Sequence, residues 1–408
     1  MPATKPLPMR CVHAFSAALA LSVFHGATRA DEFKLRGSVG AEVRVFPQSP
    51  QFAQQQRALN GSGFFAPELS YEWEQGKQSI VFSPFARIDE GDARRTHVDI
   101  RELAWVKAAA AWELRVGIRR VFWGVAESNH LIDIINQTDL VENIDTEDKL
   151  GQPMVNLALI RDWGTVDLFV LPSFRERRFP GKSGRFRTQP RVDTSSTSYE
   201  SAAGDKHVDY AIRYSNVIGA LDFGLYHFWG TSREPRLLPG RTHAGEIILI
   251  PRYDLIHQTG LDALYPVGSW AWKLEALHRV DQGDSFSAMV GGFEYTRVGV
   301  LGSAYDLGLL MEYHGDDRGR HSPQPFNHDL FVGARVGFND IASTQLLTGV
   351  VADLYGGGRF FNLEFSTRFG ERWKLEVEAR TFWSAPLSDP LHFLERDDYL
   401  QLQLERFF

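Results

Sequence analysis

The chain has 408 residues and a formal net charge of −7, with 29 Phe, 10 Trp, 36 Gly and a single Cys. The acidic balance argues against a general nucleic-acid-binding protein. The chain is long for a lone β-sandwich, and after residue 30 no stretch approaches the roughly 18 apolar residues that a membrane-spanning helix needs. An apolar outer surface would therefore have to be carried by alternating strands.

The first thirty residues have the pattern of a secretory signal peptide. A positively charged start precedes a short apolar run at 15–24, and small residues lead up to Ala30. We expect cleavage after Ala30, which gives a mature domain at 31–408. Cys11 lies before the apolar run and would be discarded, so no thiol is left for disulfides, catalysis or thiolate metal sites. A free-standing amino-terminal membrane anchor is the alternative.

Alternation of apolar and polar residues begins directly after that segment and recurs to the last residue, Phe408. A period of two residues is typical of strands with one apolar and one polar face, and a helix cannot keep it. The pattern predicts eighteen strands, with sixteen as the alternative count: 33–46, 64–74, 79–89, 96–107, 111–120, 153–161, 165–174, 207–216, 220–229, 246–263, 269–280, 285–297, 303–313, 329–338, 344–354, 359–369, 373–382 and 397–408.

Every second connection between these strands is short, and the other set contains nearly all the long loops. Bacterial outer-membrane barrels show this asymmetry, with tight periplasmic turns, longer outer loops and both termini in the periplasm. We therefore predict an all-β fold, a transmembrane antiparallel β-barrel in the outer membrane of a Gram-negative cell. A soluble sandwich is the alternative. The short connections are 75–78, 108–110, 162–164, 216–219, 264–268, 298–302, 339–343 and 370–372.

Residues 112–124 have the sequence WELRVGIRRVFWG. This stretch resembles a recurring element of the alginate-export-type and related porin-like barrels of proteobacteria, in which such a strand ends in an aromatic–Gly pair and leads into a long loop. The resemblance implies a passive conduit with a charged lumen. The inward faces mix acids with bases instead of forming a cationic ladder, so the resemblance does not indicate a specific polyanion.

The alternation places charged side chains in the lumen, where they could bias which ions pass. The alternative is that they form cross-strand ion pairs that stiffen the wall. The candidates for lumen lining and selectivity are Arg44, Arg101, Arg115, Arg119, Arg213, Lys273, Arg335, Arg368, Arg380, Glu42, Glu275, Glu364 and Glu378.

The connection 121–152 is long, moderately apolar and acidic. We expect it to fold into the lumen as a constriction, with Asp133, Asp139, Glu142 and Asp145 as the candidate residues. Carboxylates at this density could instead bind Ca²⁺ through hard oxygen ligands, although their spacing matches no known calcium loop.

Three further segments carry weaker signals. Connection 175–206 is rich in arginine and could attract anions at the pore mouth, but we expect a mobile solvated loop. The histidines in 314–328 could meet around zinc, yet scattered histidines in a loop are usually only solvated. Residues 356–358 are three glycines that lack the Lys-Ser/Thr of a phosphate loop and indicate a hairpin turn.

These observations predict a porin-like channel for small or oligomeric hydrophilic solutes, anionic ones included. The prediction involves no enzymatic activity, cofactor or metal, and its partners are outer-membrane lipid, lipopolysaccharide and the barrel-assembly machinery. An outer-membrane lipid or peptide hydrolase and a structural barrel of an envelope assembly are the alternatives. The oligomeric state is left open.

Overall fold

The computed structural model describes residues 31–281, 284–387 and 389–408. The predicted signal peptide lies outside these residues and stays a prediction. Eighteen strands form one antiparallel sheet. They are β1 (Glu32–Val45), β2 (Leu59–Trp73), β3 (Gln78–Asp89), β4 (His97–Ala108), β5 (Trp112–Arg119), β6 (Gln152–Arg161), β7 (Gly164–Leu171), β9 (Asp209–Ile218), β10 (Leu221–Thr231), β13 (Leu255–Val267), β14 (Trp270–Asp281), β15 (Asp284–Arg297), β16 (Asp306–Asp316), β17 (His328–Gly337), β18 (Gln345–Asp353), β19 (Arg359–Phe369), β20 (Trp373–Trp383) and β21 (Tyr399–Phe407).

Three short strands, β8 (Ser198–Tyr199), β11 (Arg236–Arg241) and β12 (Ile247–Tyr253), form a separate small sheet. The helical elements within the described ranges are short 3₁₀ turns, and none of them is long and apolar enough to cross a membrane. They span Glu74–Gly76, Thr194–Ser196, Gly204–Lys206, Val300–Gly302, Gly319–His321 and Pro390–Leu394.

The sheet closes on itself because its last strand pairs with its first. The register of β1 and β21 runs from Ser38 opposite Phe407 to Val45 opposite Leu400. Beyond it, the Phe408 amide donates to the Gly37 carbonyl at 3.0 Å, and the Gly37 amide donates back at 3.2 Å. Closure leaves no free edge, so the wall can satisfy its backbone polar groups without water. The predicted fold class is confirmed.

The two faces of the wall differ as the alternation predicts. On β1, Val39 is 47% exposed on the outside, while Glu42 on the inside is 3% exposed. Exposed apolar side chains recur around the outer face, for example Leu225 on β10 and Val332 on β17. An apolar exterior around a polar interior is the pattern of a barrel that stands in lipid.

The predicted strand 246–263 is the main departure. Its first half, β12, leaves the barrel and pairs with β11, and the barrel strand β13 begins only at Leu255. The amide of Ser232 donates to the Asp254 carbonyl at 2.8 Å, just above the pair of Thr231 with Leu255. Residues 247–250 are all apolar, so they carry no period-two signal that could have located the boundary.

Candidate functional site

The chain turns into the barrel after Arg119, the last residue of β5, and does not rejoin the wall until β6. Residues 120–151, here called the lumen segment, contact opposite sides of the interior. Glu127 lies 2.5 Å from Arg335 on β17, and Glu142 lies 2.8 Å from Arg87 on β3. The segment therefore spans the lumen and narrows it.

One side of the lumen segment is held by an apolar core. Trp123, Ile132, Ile134 and Ile135 pack against inward apolar residues of β6, β7, β9, β10 and β13, such as Phe228. Each fully buried side chain of this size contributes roughly 1.5–3 kcal/mol. Inward apolar residues would face water in an open pore, so the wall and the segment cover each other.

The other side of the lumen segment is held by carboxylates of the wall. Glu275 on β14 accepts hydrogen bonds from the amides of Val125 at 2.7 Å, Ala126 at 2.8 Å and Ile132 at 3.2 Å. Glu312 on β16 accepts from the amides of residues 127 and 128 in the same way. Because the segment has almost no regular structure, these side chains replace the partners that its buried amides would otherwise lack.

The four predicted constriction residues lie in the lumen segment, each beside a different cation. Asp133 is 3.2 Å from Lys149, and Asp145 is 3.0 Å from Arg380. Asp139 is 3.5 Å from Arg178, and Glu142 meets Arg87 as described above. Asp133 and Asp145 form separate pairs, whereas Asp139 and Glu142 share Arg101, which lies 3.7 Å from the first and 3.9 Å from the second. Within the ranges that the structure describes, no group of three or more His, Cys, Asp or Glu side chains is arranged to hold a metal ion.

The two buried acids differ in their pKa. Burial raises the pKa of Asp139 to about 6, even though Arg101 and Arg178 oppose the rise. Burial also acts on Glu142, but Arg87, Arg95 and Arg101 together outweigh it and hold its pKa below the ordinary value. The same segment therefore carries one carboxylate that is stably ionised and one that titrates at mildly acidic pH.

The predicted lumen-lining cations are nearly all in ion pairs instead of forming one ring. The pairs are Arg44 with Glu42 at 3.0 Å, Arg101 with Asp139 at 3.7 Å, Arg115 with Asp167 at 3.6 Å, Arg119 with Glu102 at 3.8 Å, Arg213 with Asp262 at 2.7 Å, Lys273 with Glu127 at 3.4 Å, Arg335 with Glu294 at 3.7 Å, and Arg380 with Glu378 at 3.3 Å and Glu364 at 3.5 Å. Arg368 is exposed near the short-turn end, 5.2 Å from the ring of Phe407.

A cavity of about 320 Å³ lies between the lumen segment and the wall of β14 to β20. Its lining combines charges of both signs with an apolar stretch of wall. The charged lining includes Glu127, Glu147 and Lys149 from the segment, Arg279, Glu364 and Arg380 from the wall, and Arg318 from the connection after β16. The apolar lining includes Leu277, Phe286, Phe331, Phe360 and Phe382. Arg279 was not among the residues predicted from the sequence to line the lumen. It lies an even number of residues from Lys273 and Glu275 on β14, so the alternation alone could have placed it in the lumen.

The arginine-rich connection is not a mobile solvated loop, so that expectation is wrong. Together with 232–254, residues 172–208 form a cap over one end of the barrel. Arg185 is completely buried and donates from Nε to Asp397 at 2.6 Å, and Arg175 donates to Asp99 at 2.7 Å. These arginines bind the cap to the barrel, because they donate hydrogen bonds to buried carboxylates and backbone carbonyls of the barrel.

The structure also places the histidines of 314–328 and the glycines of 356–358. His314 is buried beside Phe326, whereas His328 stacks on Tyr355, so the histidines do not gather around one point. The glycines at 356–358 lie in the connection from β18 to β19, where the amide of Gly356 donates to Asp353 at 2.7 Å.

No family model matches this chain, and no curated protein matches it in sequence. Solved structures do match its fold. A BenF-like porin from Pseudomonas fluorescens Pf-5 is similar with a TM-score of 0.54 at 10% identity, over 93% of this chain and 98% of that one. OccK3 (OpdO) of Pseudomonas aeruginosa has a TM-score of 0.52 at 10% identity, over 92% and 95%. OpdQ of the same species has a TM-score of 0.50 at 12% identity, over 93% and 97%. The chain thus has a closed β-barrel of porin-like fold.

Proposed function

We propose that the protein is an outer-membrane channel through which small hydrophilic solutes diffuse without covalent chemistry or a cofactor. The observation that carries the proposal is the cavity of about 320 Å³ left between the lumen segment and the wall, lined by charges of both signs. Such a lining replaces part of a solute's hydration and biases passage by charge.

The resemblance to alginate-export-type barrels implies a charged lumen but indicates no specific polyanion, so the cavity lining is what bears on the charge of the cargo. Arg279, Arg318 and Arg380 offer cationic groups to an anion in the cavity. The first of these is 2.7 Å from Glu234, so it faces the solute as half of an ion pair. We infer that small anions and zwitterions pass more readily than oligomers.

Planar-bilayer recording with the purified barrel tests the proposal. We expect stable ion conductance, and liposome swelling with amino acids and monosaccharides that falls off for oligosaccharides. A barrel that inserts and shows no conductance would contradict a channel and favour the enzyme or the structural barrel.

Charge selectivity has its own test. Arg279→Gln should leave Glu234 without its cation and shift the reversal potential in a salt gradient toward cations. The shift should shrink in molar salt, where the screening length falls to about 3 Å. Arg368→Gln is the matched control, because Arg368 lies exposed outside the cavity.

A further inference from the structure

The barrel wall has a seam beside the upper half of β4. This strand pairs with β5 only between Leu103 and Ala108, and β5 itself ends at Arg119. Within the described part of the chain, no ladder pair joins residues 97–102 to β5 or to β6. The cause is the departure of the lumen segment from the wall, which removes the strand that residues 97–102 would have paired with.

The ladder between β2 and β3 is also interrupted, at the level of the barrel where Pro84 on β3 pairs with Ile100 on β4. The β2–β3 pairing stops at Phe65 opposite Ala86 and resumes at Leu69 opposite Phe82. Pro67 and Pro84 lie in this interval, and proline has no amide hydrogen to donate. The two interruptions together leave this sector of the wall short of backbone pairing between strands.

Side chains from inside the barrel close the seam. Arg175 of the cap donates from Nη1 to the Gly151 carbonyl at 2.8 Å and from Nη2 to Asp99 on β4 at 2.7 Å. Gly151 itself comes so close to β4 that a Cβ there would lie 2.6 Å from the carbonyl oxygens of Ile100 and Arg101. The closure therefore depends on guanidinium groups and one close glycine contact.

A cavity of about 680 Å³ opens at this seam. Its walls are outward apolar side chains, among them Phe65, Val98, Ile100 and Pro153, and Val98 is 76% exposed. Its lining also contains Asp99, Arg175 and Arg178, which belong to the polar interior. The cavity thus opens on the lipid-facing side of the barrel and ends at charged side chains, here called its floor.

The floor carries an excess of positive charge. The charged lining consists of two guanidiniums, those of Arg175 and Arg178, and one carboxylate, that of Asp99, which lies 2.7 Å from Arg175 and 3.8 Å from Arg178. Behind them, the buried Nε of Arg101 lies 3.9 Å from the buried Oδ2 of Asp99, which is too far for a hydrogen bond. An anionic head with oxygen acceptors would supply the missing negative charge, and guanidiniums are well shaped to bind a carboxylate.

We propose that this cavity binds a long-chain fatty acid, with its carboxylate at Arg175 and Arg178 and its acyl chain along Val98 and Ile100. The volume lies in the range of small-molecule sites and suits one acyl chain, not a many-chained lipid. Apolar walls exclude the hydrophilic solutes of the lumen cavity, so this site is separate from the proposed channel. Phospholipid or lipopolysaccharide tails are the competing occupants.

Native mass spectrometry of the detergent-purified barrel tests the site with three ligands: oleate, the neutral oleyl alcohol, and lipopolysaccharide. We expect oleate to bind at least tenfold more tightly than oleyl alcohol. The double variant Arg175→Gln with Arg178→Gln should abolish that preference, and Arg320→Gln, an exposed arginine elsewhere, should keep it.

A second variant tests the site without changing the arginines, whose loss could itself prevent folding. Val98→Trp keeps the lipid-facing surface apolar while filling the cavity, so oleate binding should be lost with normal heat-modifiable gel mobility. Val332→Trp, at an equally lipid-facing position on β17, should bind as the parent does. Equal binding of oleate and oleyl alcohol, preferential retention of lipopolysaccharide, or unchanged oleate binding by Val98→Trp would each overturn the proposal.

Discussion

Arg380 on β20 donates from Nη2 to the Asp145 carboxylate at 3.0 Å, which joins the barrel wall to the lumen segment. Arg380 is 1% exposed, and its guanidinium also donates at 3.0 Å to the side-chain oxygen of Asn143. Two neighbouring residues of the segment are therefore fixed by one side chain of the wall. The contact therefore holds this part of the lumen segment against the wall.

Asp145→Asn should loosen the lumen segment. A hydrogen bond to a charged group contributes about 1.5–3 kcal/mol, and the amide would replace it only in part. We expect larger and noisier single-channel currents from this variant. Asp162→Asn, in a short turn far from the segment, is the control. Identical current traces for parent and Asp145→Asn would show that the contact does not restrain the segment.

Asp139 should make stability depend on pH in a defined direction. Its folded pKa of about 6 is above the ordinary 3.8, so the folded state binds the extra proton more tightly. This contribution is fully present below pH 4 and is lost as the pH rises through 6. Relative to the parent, Asp139→Asn should gain up to about 3 kcal/mol between pH 4 and pH 8, since each pKa unit corresponds to 1.36 kcal/mol.

Urea unfolding at both pH values measures this gain. Asp205→Asn, at an exposed position in the cap, is the matched control and should show no comparable change. A parent and an Asp139→Asn variant that respond to pH in parallel would contradict the assignment.

Arg185→Ala should release the cap. The substitution leaves Asp397 buried without its cation, and breaking a buried pair in this way costs about 3–5 kcal/mol. We expect rapid proteolytic cleavage within 172–208. Arg191→Ala removes a half-exposed pair with Glu246 and should cost at most about 1 kcal/mol, with little change in cleavage. Equal cleavage rates for the two variants would count against a structural role for the buried pair.

The segregation of loop lengths predicts which end faces the medium. An epitope inserted after His243, at the exposed tip of the β11–β12 hairpin, should be reached by antibody on intact cells. An epitope after Ile341, fully exposed in a short turn, should be reached only after the outer membrane is permeabilised. The reverse pattern would invert the topology.

Much of the wall could be predicted from the sequence because a strand between lipid and water has a strict period of two. Leu400, Leu402 and Leu404 on the outside and Gln401 on the inside follow from parity alone. The eighteen strands and the outward apolar face were found in this way. The start of β13 was missed because residues 247–250 are all apolar, so no change in the alternation marks where β12 ends and β13 begins.

The interior could not be predicted in the same way. Parity shows that Glu275 and Arg380 point inward, but not that Glu275 binds the amides of the lumen segment or that Arg380 meets Asp145. These contacts join residues far apart in the chain, and which partners meet depends on how the barrel closes and how the irregular segments pack. Local alternation determined the wall, whereas the lumen segment, the cap and the seam were decided by tertiary packing, because their contacts follow no sequence period.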